Sequence, residues 1–380
     1  MTNLKIFLFL LLVITLKISA QKDNADNSLS VESGDDFIFS TLAEQGLNEE
    51  MVMAAVDSIN NGVYSNIHSL LILKNNKLVL EKYFEGEDAI IGIGRVGIRQ
   101  HNIDSLHDIR SITKSIVGAA VLIAVANGQI ESLDEPIINF FPEFEKFNSG
   151  FKSEITIKHL LTMTDGLEWD ENISYADTTN SERRLNNSKD AIEYYLSRQS
   201  LHKPGTVFNY SGGCTQTLAA IVKKCSGLEI DEFVNQNIFQ PLGIMTFEWV
   251  KRKDGIPIAA SGLRMRSRDL LKFGLLYLNN GNYTGVQIIP ELLAMEAQNL
   301  QFQVEPDFGY GFQIWIAKDV INGEPVTSVE ANGNGGQVIA INKKYNMVIV
   351  ITAGHYNKRD MNWWPSDIYI KHIYPWLLNE

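Results

Sequence analysis

The chain has 380 residues, 45% of them hydrophobic, and a formal charge of −12 at neutral pH. That length supports one large domain or two around a substantial core, and the acidic balance argues against a nucleic-acid-binding surface. From the N-terminus, Lys5 precedes an almost wholly apolar run from Ile6 to Leu16, and Ile18-Ser19-Ala20 then gives way to the polar Gln21-Lys22-Asp23-Asn24. This order of charge, apolar run and small residues predicts a secretory signal peptide over residues 1–20, cleaved near Ala20, and hence a periplasmic or secreted protein. The run is shorter than the ~20 residues that span a bilayer, so no stable membrane anchor is expected. Cleavage would remove Lys5 and Lys17 and no acid, leaving a mature charge of about −14.

Residues 21–35 are rich in Asn, Asp and Ser and are expected to be a flexible N-terminus, with a single domain over 36–380. A helix is predicted from about Ser40 to Asn60. Next, the apolar runs Ser69 to Leu73 and Leu78 to Phe84 flank Asn75-Asn76, a hairpin signature. About 105–300 reads as a mostly helical insert, with helices over Ile157 to Met163, Ser188 to Arg198, Thr215 to Lys224, Ile230 to Phe239 and Ser267 to Leu278. Strands return at Phe312 to Ile316, Gln337 to Ile341 and Met347 to Thr352, and a helix from Trp364 to Leu378 closes the chain. The predicted class is α+β, an antiparallel sheet built from both chain ends with flanking helices, and a cleft where the insert meets the sheet.

Arg110-Ser111-Ile112-Thr113-Lys114-Ser115 opens the apolar run Ile116 to Ala126, whose breadth marks a buried helix. Residues i and i+3 share a helix face, so the Lys114 ammonium can reach the Ser111 hydroxyl. A base held there can take the proton of a hydroxyl that barely ionises alone. The helix N-terminus adds unpaired N–H groups and a positive dipole end, both favourable to an oxyanion. Spacing alone decides little, because Ser19 and Lys22, Ser149 and Lys152, and Ser200 and Lys203 repeat it. Only Ser111 begins a long helix, and Pro204 disfavours helix at Lys203. The plainer alternative is that Ser111 merely caps the helix.

Pro204 to Gly213 is a turn-rich loop that would hold Tyr210 at a cleft edge, where an ammonium could favour its ionised form and let it relay protons. A core tyrosine beside glycines explains the same residues. Asn332-Gly333-Asn334-Gly335-Gly336-Gln337 precedes a strand; its glycines would let substrate lie against backbone donors, and a simple tight turn is the alternative. Cys214 and Cys225 fall on one predicted helix, where eleven steps of ~1.5 Å separate them by ~16 Å, beyond the ~7 Å a disulfide tolerates. The histidines at 68, 101, 107, 159, 202, 355 and 372 show no His-Glu-x-x-His spacing, so no metal site is expected.

In order and spacing these pieces resemble the serine β-lactamase-like superfamily of class C β-lactamases, D-alanyl-D-alanine peptidases and related esterases. Ser111-Ile112-Thr113-Lys114 matches its Ser-x-x-Lys, Tyr210-Ser211-Gly212 falls where the family has Tyr-x-Asn, and Asn334-Gly335-Gly336 falls where it has Lys-Thr-Gly or His-x-Gly. His159 to Leu167, Pro241-Leu242-Gly243-Ile244, Ala260 to Met265 and Phe308 to Phe312 look like further landmarks, so the resemblance spans roughly 65–375. It implies a β-lactamase/penicillin-binding-protein-like fold and an exported serine hydrolase acting through an acyl-enzyme on ester or amide bonds of small substrates, without a cofactor. Ser111 would be the nucleophile, with Lys114 and Tyr210 sharing the proton work. The backbone N–H groups of Ser111 and Gln337 would form the oxyanion hole, and Gly212, Asn334, Gly335 and Gly336 would line the substrate site. The uncharged Asn334 and the bare Gly212 depart from the β-lactamase pattern and sit closer to the branch of esterases and the 6-aminohexanoate-dimer hydrolase. A β-lactamase, a D-alanyl-D-alanine carboxypeptidase, with Arg264 or a lysine as its missing cation, or an idle binding protein on the same fold are the alternatives.

Overall fold

A computed structural model describes residues 37–358 and 365–377; the expected signal peptide, the segment 21–35 and the ends of the closing helix at Trp364 and Leu378 lie outside them. Nine strands form the main sheet: β1 (Ile38–Phe39), β2 (Ile67–Lys74), β3 (Lys77–Tyr83), β4 (Phe302–Glu305), β5 (Phe308–Tyr310), β6 (Trp315–Ile321), β7 (Glu324–Gly333), β8 (Gln337–Asn342) and β9 (Met347–Ala353). Their order is β1-β3-β2-β9-β8-β7-β6-β5-β4, so N-terminal and C-terminal strands meet where β2 pairs antiparallel with β9, Ile72 opposite Ile349. Among the described residues of this sheet, only the short β1–β3 pair is parallel.

The apolar runs at the sheet centre follow from burial on both faces. Leu71, Leu73, Val348 and Val350 point into one core, which holds the helices α2 (Ile112–Ala126), α3 (Gly212–Ser226) and α4 (Ser267–Leu278). Leu70, Ile72, Ile349 and Ile351 point into a second core against α1 (Glu49–Asn60) and the helix Pro365–His372. Alternate residues therefore serve opposite layers, and each such side chain contributes about 1.5–3 kcal/mol by leaving water. The α+β class and the antiparallel sheet with flanking helices agree with the sequence reading.

Boundaries moved where local chemistry intervened. The helix predicted from Ser40 starts at Glu49, because Gly46 adopts φ 69° and Asn48 then caps α1 by accepting from the Met51 N–H at 3.2 Å. The strand predicted from Phe312 begins at Trp315, because Gln313 is left-handed, φ 57°. The hairpin Glu85–Ile90 with Gly94–Gln100, and β7, were not anticipated. The insert carries small strands too: His107–Asp108 and Glu248–Trp249 both pair with Leu263–Met265. Cys214 and Cys225 both lie on α3 with free thiols, as the helical spacing requires.

Candidate active site

Ser111 sits at the first turn of α2, directly after Arg110, whose backbone is left-handed with φ 51°. It makes no side-chain capping bond. Instead its Oγ accepts from Lys114 Nζ at 3.1 Å, and the same ammonium donates to the Ala260 carbonyl at 3.1 Å. The capping alternative therefore does not describe the serine. Lys114 is 1% exposed, held in place because α2 is buried nearly all round.

Tyr210 is carried by the loop before α3, and its ring lies 4.8 Å from Lys114 Nζ. Trp315 on β6 stacks on it at 5.7 Å, and Tyr310 meets it edge-on at 6.4 Å, which fixes the ring. Burial raises the Tyr210 hydroxyl above its ordinary pKa, although the Lys114 charge pulls the other way. The phenol is thus neutral in the resting protein.

Two acids that sequence reasoning missed complete the site. Glu171 lies 3.6 Å from Lys114 Nζ and accepts from Trp169 Nε1 at 2.6 Å, Tyr175 Oη at 3.0 Å and the Gly212 N–H. Glu182 accepts from Ser261 Oγ at 2.6 Å, while its other oxygen has no ordinary donor. Both carboxyls are buried and lie close enough to interact, an arrangement that one proton shared between them would stabilise. Burial, against the pull of Lys114, raises Glu171 to about 7, and Glu182 repels its charge further; Glu182 itself is lowered, since Lys114 and its hydrogen bonds outweigh burial. For Lys114, burial acts downward, but Tyr210, Glu171 and Glu182 together raise it. With Tyr210 neutral, the carboxylates carry that effect. Below about pH 7 the cluster is therefore an ammonium, one carboxylate and one carboxylic acid, with no net charge. Both acids lie on irregular or short segments with no periodic signal, so only their three-dimensional convergence reveals them.

The geometry reassigns Gly212. It is buried at the start of α3, and a Cβ there would lie 3.1 Å from both Glu171 Oε2 and the Glu182 carboxyl carbon. Its missing side chain is room for the acid pair. It does not border either cavity at Ser111, so the structure gives it a place under the site where the sequence reading expected substrate contact.

Ser111 lies at the junction of two cavities. One, about 520 Å³, is walled by Tyr210, Trp315, Phe308 and Val304; the other, about 490 Å³, by Arg110, Tyr175, Arg183, Lys251 and Lys253. Asn334 lines both, with its Oδ1 accepting the Asn357 N–H at 2.8 Å. Gly335 and Gly336 have φ 96° and 95°, and the Gly335 backbone lies against Tyr356. Gln337 begins β8, and its side chain ties to Ala353 on β9 through both the N–H and the carbonyl. Arg264 is engaged with Asp108 at 2.8 Å and with Glu248. Arg110 pairs with Asp108 at 3.2 Å and lies over the Tyr356 ring at 4.3 Å.

A family model described as Beta-lactamase matches residues 65–364. An uncharacterized protein of Alkalihalophilus pseudofirmus is 27% identical over 313 residues, 74% of this chain and 82% of its own length. Protein flp of Staphylococcus aureus is 28% identical over 174 residues, 46% of this chain; that match covers a third (33%) of flp's length. Among solved structures, a Bacillus anthracis protein assigned as a 6-aminohexanoate-dimer hydrolase superposes with TM-score 0.67 at 23% identity, covering 82% of this chain and 80% of that one. A family VIII carboxylesterase superposes with TM-score 0.67 at 13% identity, covering 89% and 98%.

Proposed function

This chain belongs to the beta-lactamase family, and from that premise we propose that it is an exported serine hydrolase working through an acyl-enzyme on esters or amides of small, largely uncharged acyl groups. The observation that carries the proposal is the 3.1 Å contact of Lys114 Nζ with Ser111 Oγ at the junction of two cavities.

Ser111 Oγ attacks the carbonyl carbon while its proton leaves. Lys114 rests as an ammonium, so it becomes a base only after passing a proton to the Glu171–Glu182 pair. That transfer replaces an ion pair by neutral groups and leaves the cluster's net charge unchanged, so burial does not oppose it. Lys114 then takes the serine proton, and Tyr210 hands a proton to the departing alcohol or amine as the carbon–oxygen or carbon–nitrogen bond breaks. Water reverses the sequence on the acyl-enzyme. Lys114 and Tyr210 titrate as one coupled unit. The backbone N–H groups of Ser111 and Gln337 are assigned to the oxyanion, each worth about 2.7–4 kcal/mol of barrier.

The aromatic cavity suits an apolar acyl group, and Asn334 offers an amide in place of the family's cation. Asp108 engages both Arg110 and Arg264. Intact-mass spectrometry after exposure to activated esters, amides and β-lactams tests this reading: esters should leave a covalent acyl adduct on Ser111 that decays with turnover. Adducts from penicillins alone would favour the β-lactamase or peptidase reading, and no adduct from any class would favour a binding protein.

A further inference from the structure

Behind Arg110 lies a second buried cluster that hydrolysis does not use. His68 on β2 and His107 on the strand His107–Asp108 bring Nδ1 and Nε2 within 2.8 Å. Asp88, from the hairpin strand Glu85–Ile90, completes a set whose candidate ligand atoms all lie within 4.8 Å of one another. All three residues are buried. His101 stacks on His68 at 4.0 Å, and the Tyr356 hydroxyl lies 3.4 Å from Asp88 Oδ1 and from both ring nitrogens of His107.

The protons of this cluster do not close. His107 Nδ1 lies 3.1 Å from the Asp108 carbonyl, which can only accept, so the proton is on Nδ1 and Nε2 carries a lone pair. His68 Nε2 faces Asn66 Oδ1 at 3.4 Å. The Asn66 amide is oriented by the backbone of Glu87, donating to its carbonyl at 3.0 Å and accepting its N–H at 2.7 Å, so Oδ1 is also an acceptor. A neutral His68 has one N–H for two acceptors. Donating to His107 leaves a lone pair against Asn66, and donating to Asn66 leaves two lone pairs facing each other across 2.8 Å. A second proton on His68 would place a charge in a buried site that already packs two further imidazoles, His101 at 4.0 Å and His107 at 5.0 Å between ring centroids.

A cation between the two ring nitrogens resolves the conflict. His68 would then donate Nε2–H to Asn66 and His107 would donate Nδ1–H to the Asp108 carbonyl, the outer hydrogen bonds that orient metal-bound imidazoles. We infer that His68, His107 and Asp88 form a binding site for a divalent transition-metal ion, zinc fitting best, with the Tyr356 hydroxyl or a water at the open position. Two nitrogens bound tetrahedrally at 2.0–2.1 Å lie about 3.3 Å apart, so the pair opens by about half an ångström on binding. Two imidazoles and one carboxylate are a ligand set that this ion accepts. Because Tyr356 also carries Arg110 and packs on Gly335, the ion braces the wall of the Ser111 cleft and takes no part in acyl transfer.

The test uses the full chain stripped with chelator, then titrated with Zn²⁺ by calorimetry and with Co²⁺ by visible absorption. The expected result is one ion per chain with an intense four-coordinate Co²⁺ spectrum. His68→Ala and Asp88→Asn should abolish saturable binding, Asn66→Ala should weaken it about 10–100-fold, and His202→Ala, remote from the cluster, should leave it unchanged. No saturable uptake by the wild-type chain, a weak six-coordinate Co²⁺ spectrum, or uptake surviving in folded His68→Ala would overturn the site. The wild-type Co²⁺ spectrum decides the matter even if a variant fails to fold.

Discussion

Two buried polar clusters lie close to the Arg110-Ser111 turn, and they differ in how their charges and protons balance. Lys114, Glu171 and Glu182 balance one cation against one anion when a proton is shared between the acids, so protons can move without a net charge appearing. His68, His107 and Asp88 hold more lone pairs than protons, and their unmet need is for a cation. Burial alone does not tell a proton relay from a metal site. The count of donors against acceptors does.

Removing the cation from the first cluster should have the largest effect. Lys114→Ala leaves a buried carboxylate unpaired, which costs about 3–5 kcal/mol of stability, and removes a proton acceptor worth about 10²–10⁴ in rate. Adding Glu182→Gln should restore most of the denaturation midpoint and none of the turnover, which would separate the structural and chemical roles of the lysine. In the second cluster, His68→Ala removes a group whose hydrogen-bond partners, His107 and Asn66, are uncharged, and should cost about 1–3 kcal/mol.

Next in size, Tyr210→Phe should lower kcat about 10²-fold on esters and amides. Combined with Lys114→Ala, it should lose less than the product of the separate losses, because groups acting as one unit are not additive. Full activity in Tyr210→Phe would make the ring a purely packing residue beside Trp315.

A smaller effect concerns pH. The Glu171 carboxyl is raised from 4.5 to about 7, so the folded chain keeps a proton that the unfolded chain releases, and stability contributed by this group falls as pH rises through that window. Asp165, raised by burial from 3.8 to about 6, acts in the same direction at lower pH. Glu171→Gln should therefore reduce the slope of the denaturation midpoint between pH 4.5 and about 7, leaving the Asp165 contribution below about pH 6. An unchanged slope would remove the shared proton from the account.

The smallest expected change is in specificity. Asn334→Lys or Asn334→His should shift the ratio of kcat/KM values toward penicillins about five- to ten-fold, since a charge-assisted bond is roughly twice as strong as a neutral one. A wild-type ratio already favouring penicillins would assign the carboxylate to Arg110 or another cation of that cavity.

The parts legible in sequence were those written in local spacing. Ser111 and Lys114 share a helix face, Asn75-Asn76 marks a hairpin, and the β-rich runs Gln337 to Ile341 and Met347 to Thr352 mark the returning strands. The acid pair and the histidine cluster were not legible, because Glu171 arrives from an irregular segment and Glu182 from the short helix Ser181–Asn187, and His68, Asp88 and His107 from three different strands. Gly212 illustrates the same limit, since a bare position in a motif looks like a substrate contact until the acids that need its space are in view. β7 was missed because Pro325, Glu330 and Asn332 make it read as loop, whereas Glu330 is buried and hydrogen-bonded to Tyr369 at 2.7 Å.

The most direct measurement is peptide mapping after labelling the folded chain with a fluorophosphonate. Ser111 should be the only modified serine, and the label should disappear in Ser111→Ala while denatured protein takes none. Modification at Ser149 or Ser200, with Ser111 untouched, would contradict the assignment of Ser111 as the nucleophile.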